Sequence, residues 1–261
     1  MFKELWNVSG FPLLLHEPAQ SFGKKIATLL KVYGLIFLSL IFTSWIVYFT
    51  DQFVTQVLHF KSISNQYGTT FQHLFKKNGA AKILLYVCLI GPVLEETVFR
   101  LPLSFKRIPV ALGIAFAFFL FSGAVPFVKK FELSIGWGYA LLIHLAFTAV
   151  LFFTCIKFIP DNLSFTTKIK KTIIIISMCL FGLMHILNFI PLQWPLIWIY
   201  PVYVLPQLLM GWGITYVRFK RGFIWGIALH CLINSLAMWV YVGHSQPVKT
   251  KQPIIAVHKL K

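Results

Sequence analysis

Long apolar segments separated by short basic clusters decide what this chain can fold into. We predict seven of them, at about 27–49, 80–100, 108–128, 133–159, 171–190, 196–217 and 222–242. An α-helix needs about 20 apolar residues to cross a bilayer. Because lipid offers no water to backbone polar groups, helices are the expected spanning structure. The sequence therefore predicts an all-α, polytopic membrane helical bundle of about six to eight transmembrane helices, with a polar cavity inside the membrane.

The charge of the chain indicates a membrane protein rather than a nucleic-acid-binding protein. The formal net charge is +17, yet only 12% of the residues are charged and 58% are hydrophobic. Basic residues stand in small groups between the apolar segments, such as Lys24–Lys25 and Lys129–Lys130, where they can meet anionic headgroups. We therefore expect the lipid bilayer as a partner, and no nucleic acid. The scarcity of acidic residues suggests a multi-pass protein of a bacterial inner membrane.

We expect three parts along the chain. Residues 1–26 form an N-terminal interfacial segment, residues 27–243 form the transmembrane domain, and residues 244–261 form a basic, flexible tail. Residues 51–79 are the longest polar connection between apolar segments. The sequence gives no indication of the oligomeric state.

Two adjacent glutamates end the second apolar segment, in the stretch GPVLEETVFR. An ionisable residue at membrane depth is costly unless it is paired or hydrated, so it is a candidate for function. Glu96 and Arg100 are four residues apart on a predicted helix, so they can pair. Glu95 is rotated from Glu96 by about 100° and lacks that partner. This makes Glu95 a candidate general base, although all three charges could instead form an interfacial cluster.

Polar side chains also occur in three other apolar segments. His185 ends the stretch FGLMH, one turn after Phe181, and is either a packed core histidine or a functional one. His230 and Asn234 are one turn apart in HCLIN. Both can donate hydrogen bonds to one developing oxyanion, or they can clamp two helices together. His144 has no motif around it, and either packs in the core or lines a cavity.

Together these stretches resemble the CPBP family of intramembrane proteases, which includes the CAAX prenyl proteases and the bacteriocin-processing peptidases and is also called the Abi family. EETVFR is similar to the EExxxR motif of that family, FGLMH to FxxxH, and HCLIN to HxxxN, in the same order. The motif-bearing core covers about residues 80–240. Leu101 stands where the family often has glycine, and residues 51–79 resemble nothing in it.

The resemblance implies an intramembrane endopeptidase that acts on a membrane-embedded protein or peptide. In such an enzyme, Glu95 would be the general base that activates water. His185 would hold and polarise that water. His230 and Asn234 would stabilise the oxyanion of the tetrahedral intermediate.

The same resemblance gives Glu96 and Arg100 a supporting role, as an ion pair or in orienting the substrate. It leaves the metal open, because the family is described both as metalloproteases and as metal-free, glutamate-dependent proteases. A zinc site would use Glu95, His185 and His230. Since an asparagine one turn after the last histidine is a poor zinc ligand, we expect no cofactor.

Two other functions are compatible with glutamate and histidine in apolar segments. The first is a non-catalytic bacteriocin self-immunity or scaffold membrane protein of the same fold, which would not need all six motif residues. The second is a proton-coupled transporter. Transporters are often built from inverted repeats, and we find no internal repeat in this sequence.

Overall fold

The computed structural model describes residues 2–14, 21–122 and 135–244, which form helices and no β-strand. The α-helices are α1 (Phe2–Trp6), α2 (Phe11–Leu14), α3 (Phe22–Gln52), α4 (Ile63–Asn78), α5 (Ala80–Leu85), α6 (Gly91–Phe99), α7 (Arg107–Phe121), α8 (Ile135–Phe158), α9 (Thr167–Met184), α10 (Tyr200–Tyr203), α11 (Leu205–Arg221) and α12 (Phe223–His244). Shorter 3₁₀ helices span Val8–Gly10, Leu101–Ser104, His185–Phe189 and Trp194–Leu196. The predicted tail, 244–261, lies outside the described residues except for His244.

Several of these helices can cross a bilayer, which confirms the predicted all-α membrane bundle. Four helical stretches are long and apolar enough to do so: Phe22–Val57, Gly138–Phe158, Thr167–Phe189 and Phe223–Val242. Arg107–Phe121 is apolar but shorter. The number of seven spans stays a prediction, because the segments expected at 80–100 and 196–217 are each divided into shorter helices.

The second predicted segment changes its helical geometry just before the paired glutamates. A π-helical turn, Tyr86–Ile90, joins α5 to α6. Gly91 and Pro92 follow this turn, and the chain stays helical through both of them. Proline is tolerated there because the first turn of a helix does not use its N–H groups. The wider turn resets the direction in which α6 presents its side chains, and such turns often occur at functional sites.

Helix α11 lies at the centre of the bundle and contacts α3, α9 and α12. Glycines make two of these contacts close. A Cβ atom on Gly182 of α9 would lie 2.4 Å from Cδ2 and 3.0 Å from Cα of Leu208. A Cβ atom on Gly213 would lie 2.5 Å from Cδ1 of Ile36 on α3. Small residues therefore allow these helices to approach each other, as is common in membrane bundles.

The substitution Gly182→Ala is expected to destabilise the fold by about 1–3 kcal/mol, because the new methyl group overlaps Leu208. Gly34→Ala on α3 is the matched control, since a Cβ atom there has nothing within 4 Å. Thermal unfolding of both variants in detergent measures the difference. Equal melting temperatures would contradict the close approach of α9 and α11.

The N-terminal segment, which we predicted to be interfacial, packs against α11. The indole nitrogen of Trp212 donates to the Leu5 carbonyl at 2.7 Å. The Tyr216 hydroxyl donates to Oε2 of Glu4 at 2.8 Å. This hydrogen bond is the main reason that the pKa of Glu4 lies below its ordinary value. These two hydrogen bonds attach the described part of the N-terminal segment to α11, which contributes residues to the functional site.

The connection 51–79, expected only as a polar connection, contains an amphipathic helix, Ile63–Asn78. Ser62 is its N-cap and also donates to Oδ2 of Asp51. The other oxygen of Asp51 accepts two backbone N–H groups of the first turn. A glycine at position 79 with a φ of 81° ends the helix. Capping at both ends explains why a polar segment forms a stable helix here.

Candidate active site

Glu96 lies at the centre of a buried network formed by α6 and α12. Its Oε1 atom accepts a hydrogen bond from Nη1 of Arg100 at 3.0 Å and one from Nδ1 of His230 at 2.9 Å. The three side chains are 0–1% exposed. The ion pair joins residues four positions apart, as the sequence predicts. A buried carboxylate needs such partners, because an unpaired charge in this environment costs several kcal/mol.

Arg100 is itself held on all sides. Its guanidinium carbon lies 3.7 Å from the centre of the Phe181 ring. Its Nε and Nη2 atoms donate to the hydroxyl of Thr215 and to the carbonyl of Gly211, each at 3.4 Å. Its own carbonyl accepts a hydrogen bond from Nε of Arg218 at 3.1 Å. Helices α9 and α11 therefore fix the arginine that pairs with Glu96.

Sequence reasoning missed the three α11 residues that hold Arg100. Gly211, Thr215 and Arg218 are four and three residues apart, so they share one face of the helix. Gly211 leaves room for the packing, since a Cβ atom there would lie 2.8 Å from the Phe181 ring and 3.1 Å from Nη2 of Arg100. Arg218 is only 4% exposed. Their spacing predicts that they share one face of α11. It does not identify Arg100 as their partner, because Arg100 is far away in the sequence.

Glu95 differs from its neighbour in both exposure and partners. Its side chain is 27% exposed, whereas that of Glu96 is fully buried. Its Oε2 atom lies 3.7 Å from Nε2 of His230, which is longer than a hydrogen bond. Both atoms are buried and have no hydrogen-bond partner among the described residues. The structure thus engages Oε1 of Glu96 twice, whereas Oε2 of Glu96 and Oε2 of Glu95 are buried without a partner among the described residues.

His185 begins the 3₁₀ helix that follows α9. Its Nδ1 atom lies 2.8 Å from the Phe181 carbonyl, which can only accept. Nδ1 therefore carries the proton, and Nε2 is left with a lone pair. The Phe181 ring packs edge-on against both imidazoles, with ring centres 5.0 Å from His185 and 5.6 Å from His230. One buried aromatic ring thus sets the positions of both motif histidines.

Asn234 makes a contact between helices. Its Nδ2 atom donates to the Val87 carbonyl in the π-helical turn at 2.9 Å. Asn234 therefore joins two helices, which is one of the two roles predicted for it; the other is a hydrogen bond to an oxyanion. An amide NH₂ group has two hydrogens, so one of them is engaged in the clamp and the second is not needed for it.

The side chains that a zinc site would use are Glu95, His185 and His230, of which Glu95 and His230 lie 3.7 Å apart. Among residues 2–14, 21–122 and 135–244, no three side chains of His, Cys, Asp or Glu form a group that could hold a metal ion. Nδ1 of His230 binds Glu96, and Nε2 has no hydrogen-bond partner among the described residues. His144, which the sequence left unassigned, has its Nδ1 atom 2.7 Å from the carbonyl of Ala140 on its own helix.

A comparison with known proteins identifies the family of this chain. The family model "Type II CAAX prenyl endopeptidase Rce1-like" matches residues 77–236, which is more than half of the chain and includes all six motif residues. No curated protein and no solved structure matches the chain. The family consists of proteases, and the described helices are apolar enough for an integral membrane protein. The chain therefore belongs to the Rce1-like family and has the fold of a CAAX-type intramembrane protease.

Proposed function

We propose that this protein is an intramembrane endopeptidase in which Glu95 activates the attacking water. The observation that carries this proposal is the pair of buried atoms, Oε2 of Glu95 and Nε2 of His230, that face each other at 3.7 Å without a hydrogen bond. Buried polar atoms without partners are rare in folded proteins and call for an explanation. Oε2 of Glu95 would bond to the reacting water, and Nε2 of His230 would bond to the substrate carbonyl oxygen.

In the first step, water donates one hydrogen bond to Glu95 and one to the Nε2 lone pair of His185. Glu95 takes the proton as the water oxygen attacks the carbonyl carbon of the scissile bond. We do not assign this role to Glu96, because its side chain is fully buried and its charge is paired with Arg100, whereas Glu95 is 27% exposed. In the second step, the carbon–nitrogen bond breaks and the proton held by Glu95 moves to the leaving amine.

The oxyanion formed between these steps needs hydrogen-bond donors. His230 donates from Nδ1 to Glu96, so it stabilises an oxyanion when Nε2 is also protonated. The second N–H of Asn234 supplies the other hydrogen bond. Donors that are already in place stabilise a developing charge without reorganisation. The network of Glu96 and Arg100 therefore acts by holding the His230 ring in position.

The name of the matching family supports a proposal for the substrate class. The name of the matching family specifies a CAAX prenyl endopeptidase, so a prenylated peptide with a C-terminal CAAX sequence is the first substrate to test. More generally, we propose a membrane-anchored protein or peptide, cleaved in a bacterial inner membrane. A self-immunity or scaffold protein is less well supported, because the structure brings Arg100, His185 and His230 around the Phe181 ring and bonds Glu96 to two of them.

We propose that catalysis needs no metal ion. Treatment of the purified enzyme with EDTA or 1,10-phenanthroline is therefore expected to leave the cleavage rate unchanged, because Glu95 activates the water. Metal analysis of the same active sample provides the control. One tightly bound zinc ion per chain, whose removal stops cleavage and whose return restores it, would overturn this part of the proposal.

The proposed reaction is tested with the purified protein in lipid vesicles and a farnesylated peptide that ends in a CAAX sequence. The expected product has lost its last three residues. In ¹⁸O-labelled water its new carboxylate contains one ¹⁸O atom, and added hydroxylamine is not incorporated. A hydroxamate product would show an acyl-enzyme and exclude direct attack by water. Absence of cleavage by a folded sample would contradict the proposed activity on this substrate class.

A further inference from the structure

A second polar feature lies beside the site, in a cavity of about 230 Å³. It is bounded by α3, α4, α10, α11 and the 3₁₀ helix that begins at His185. Its polar lining comes from Ser44, Ser64, Tyr67, Asn188, Tyr203 and Gln207. None of the six motif residues lines it. Its volume exceeds that of several water molecules, which each take about 30 Å³ in the liquid.

Two helices connect this cavity to the catalytic residues. His185 and Asn188 are three residues apart in a 3₁₀ helix, where such residues lie on the same side, about 6 Å apart along the axis. Gln207 is one turn before Gly211 on α11, and so lies on the same face. Gly211 contacts Arg100 through its carbonyl. The cavity therefore begins about one helical turn from the site, along both α11 and the 3₁₀ helix.

Hydrogen bonds that involve none of the six motif residues join the helices around the cavity. Nε2 of Gln66 on α4 donates to the carbonyls of Phe189 and Pro191, which follow Asn188 in the chain. Asp51, at the end of α3, accepts a hydrogen bond from the Tyr203 hydroxyl at 2.7 Å. These bonds fix α4 and α10 relative to α3. Most of α4 precedes residue 77, where the match to the family model begins.

The lining of the cavity matches the chemistry of a peptide backbone. It contains two carboxamides and two serine hydroxyls, and none of the residues around it is Lys, Arg, Asp or Glu. Oε1 of Gln207 is buried and has no hydrogen-bond donor among the described residues. A carboxamide offers one acceptor and two N–H donors, which complement the C=O and N–H of a peptide group. A buried acceptor without a donor costs about 1–3 kcal/mol, so an N–H supplied by a ligand is stabilising.

We propose that this cavity binds an extended segment of the substrate next to the scissile bond, with Asn188 and Gln207 hydrogen-bonding to its backbone. The inference rests on the proposed protease function and adds a subsite to it. An extended segment is required, because the peptide groups of a helix are already bonded within the helix. The subsite would recognise the backbone of the substrate and the size of its side chains rather than their charge. It therefore suits uncharged substrate sequences.

Binding can be measured apart from catalysis in a Glu95→Gln background, by fluorescence anisotropy of a labelled, farnesylated CAAX peptide in nanodiscs. Gln207→Leu removes the unpaired acceptor at similar size, and Ser44→Trp fills the cavity from α3. Gln207→Leu is expected to weaken binding by about tenfold, the effect of one lost hydrogen bond to a buried partner. Ser44→Trp is expected to weaken binding at least as much, because the indole occupies the space of the peptide. Phe42→Trp on α3 is the control, because its side chain is 68% exposed and faces away from the cavity lining.

The cleavage kinetics with Glu95 restored give an independent reading. Gln207→Leu is expected to raise KM and leave kcat nearly unchanged, since it removes ground-state binding. Unchanged thermal unfolding identifies a folded variant, and Asn188→Leu serves if Ser44→Trp does not fold. If the wild type cleaves the peptide but none of the cavity variants changes the affinity for it, the proposed subsite is wrong and the protease function stands.

Two further outcomes separate the two proposals. If the wild type does not cleave the peptide but binding still depends on Gln207 and Ser44, the cavity is a peptide site and the proposed activity on this substrate is wrong. If the peptide is neither cleaved nor bound, both proposals fail for prenylated CAAX peptides.

Discussion

The substitution Glu95→Gln is expected to reduce cleavage by about 10²–10⁴-fold, the range that a general base contributes. The amide has nearly the shape of the carboxylate but cannot take a proton from water. Because Glu95 is 27% exposed and makes no ion pair with an arginine, folding should tolerate the change. The initial rate in lipid vesicles and the melting temperature, measured on one preparation, separate the loss of chemistry from a loss of fold.

Asp161→Asn provides the matched control for removal of a carboxylate. Asp161 is 79% exposed and pairs with Arg107, far from the motif residues in the chain. Its substitution is expected to leave the rate unchanged, because an exposed ion pair contributes little. A Glu95→Gln enzyme that cleaves at the wild-type rate would remove Glu95 from the reaction.

The substitution Arg100→Met is expected to destabilise the protein by about 3–5 kcal/mol, the cost of breaking a buried ion pair from one side. It leaves Glu96 buried, with His230 as its remaining partner among the described residues. The cation–π contact with Phe181 is lost as well. Thermal and denaturant unfolding in detergent measure the stability, and the cleavage rate should fall with it because the His230 ring is no longer held.

Two further variants show whether the charge pair is responsible. Lys157→Met on α8 removes an exposed cation and is expected to leave stability unchanged. The double variant Glu96→Gln/Arg100→Met should cost less than the sum of the two single changes, because it leaves no unpaired charge. If Arg100→Met unfolds at the wild-type temperature, the ion pair does not stabilise this fold.

Local patterns predicted the helical class and part of the site. The apolar segments indicated a membrane bundle, because bilayer thickness and backbone hydrogen bonding restrict the possible folds. The four-residue spacing of Glu96 and Arg100 indicated their pairing, since it depends only on helix geometry. The three motifs indicated which histidines would approach the glutamates, and the structure brings both of them to the Phe181 ring.

Contacts between distant segments were not visible in the sequence. Thr215 and Arg218 bind a residue more than 100 positions away, and nothing near them indicates that partner. The N-terminal segment is bound through Trp212. From the sequence alone, Trp212 resembles any other aromatic residue of a membrane segment. Helix α4 has a polar sequence, and its stability comes from caps supplied partly by Asp51 on another helix.

The most direct test of the central claim compares the N- and C-terminal peptides of the membrane proteome in host cells that express the wild-type chain or Glu95→Ala at equal levels. We predict new termini with the wild type that are absent with Glu95→Ala, and they would identify the natural substrate. If no terminus differs although the membrane proteins are well covered, the chain does not act as a Glu95-dependent protease in those cells, and a non-catalytic role would explain it better.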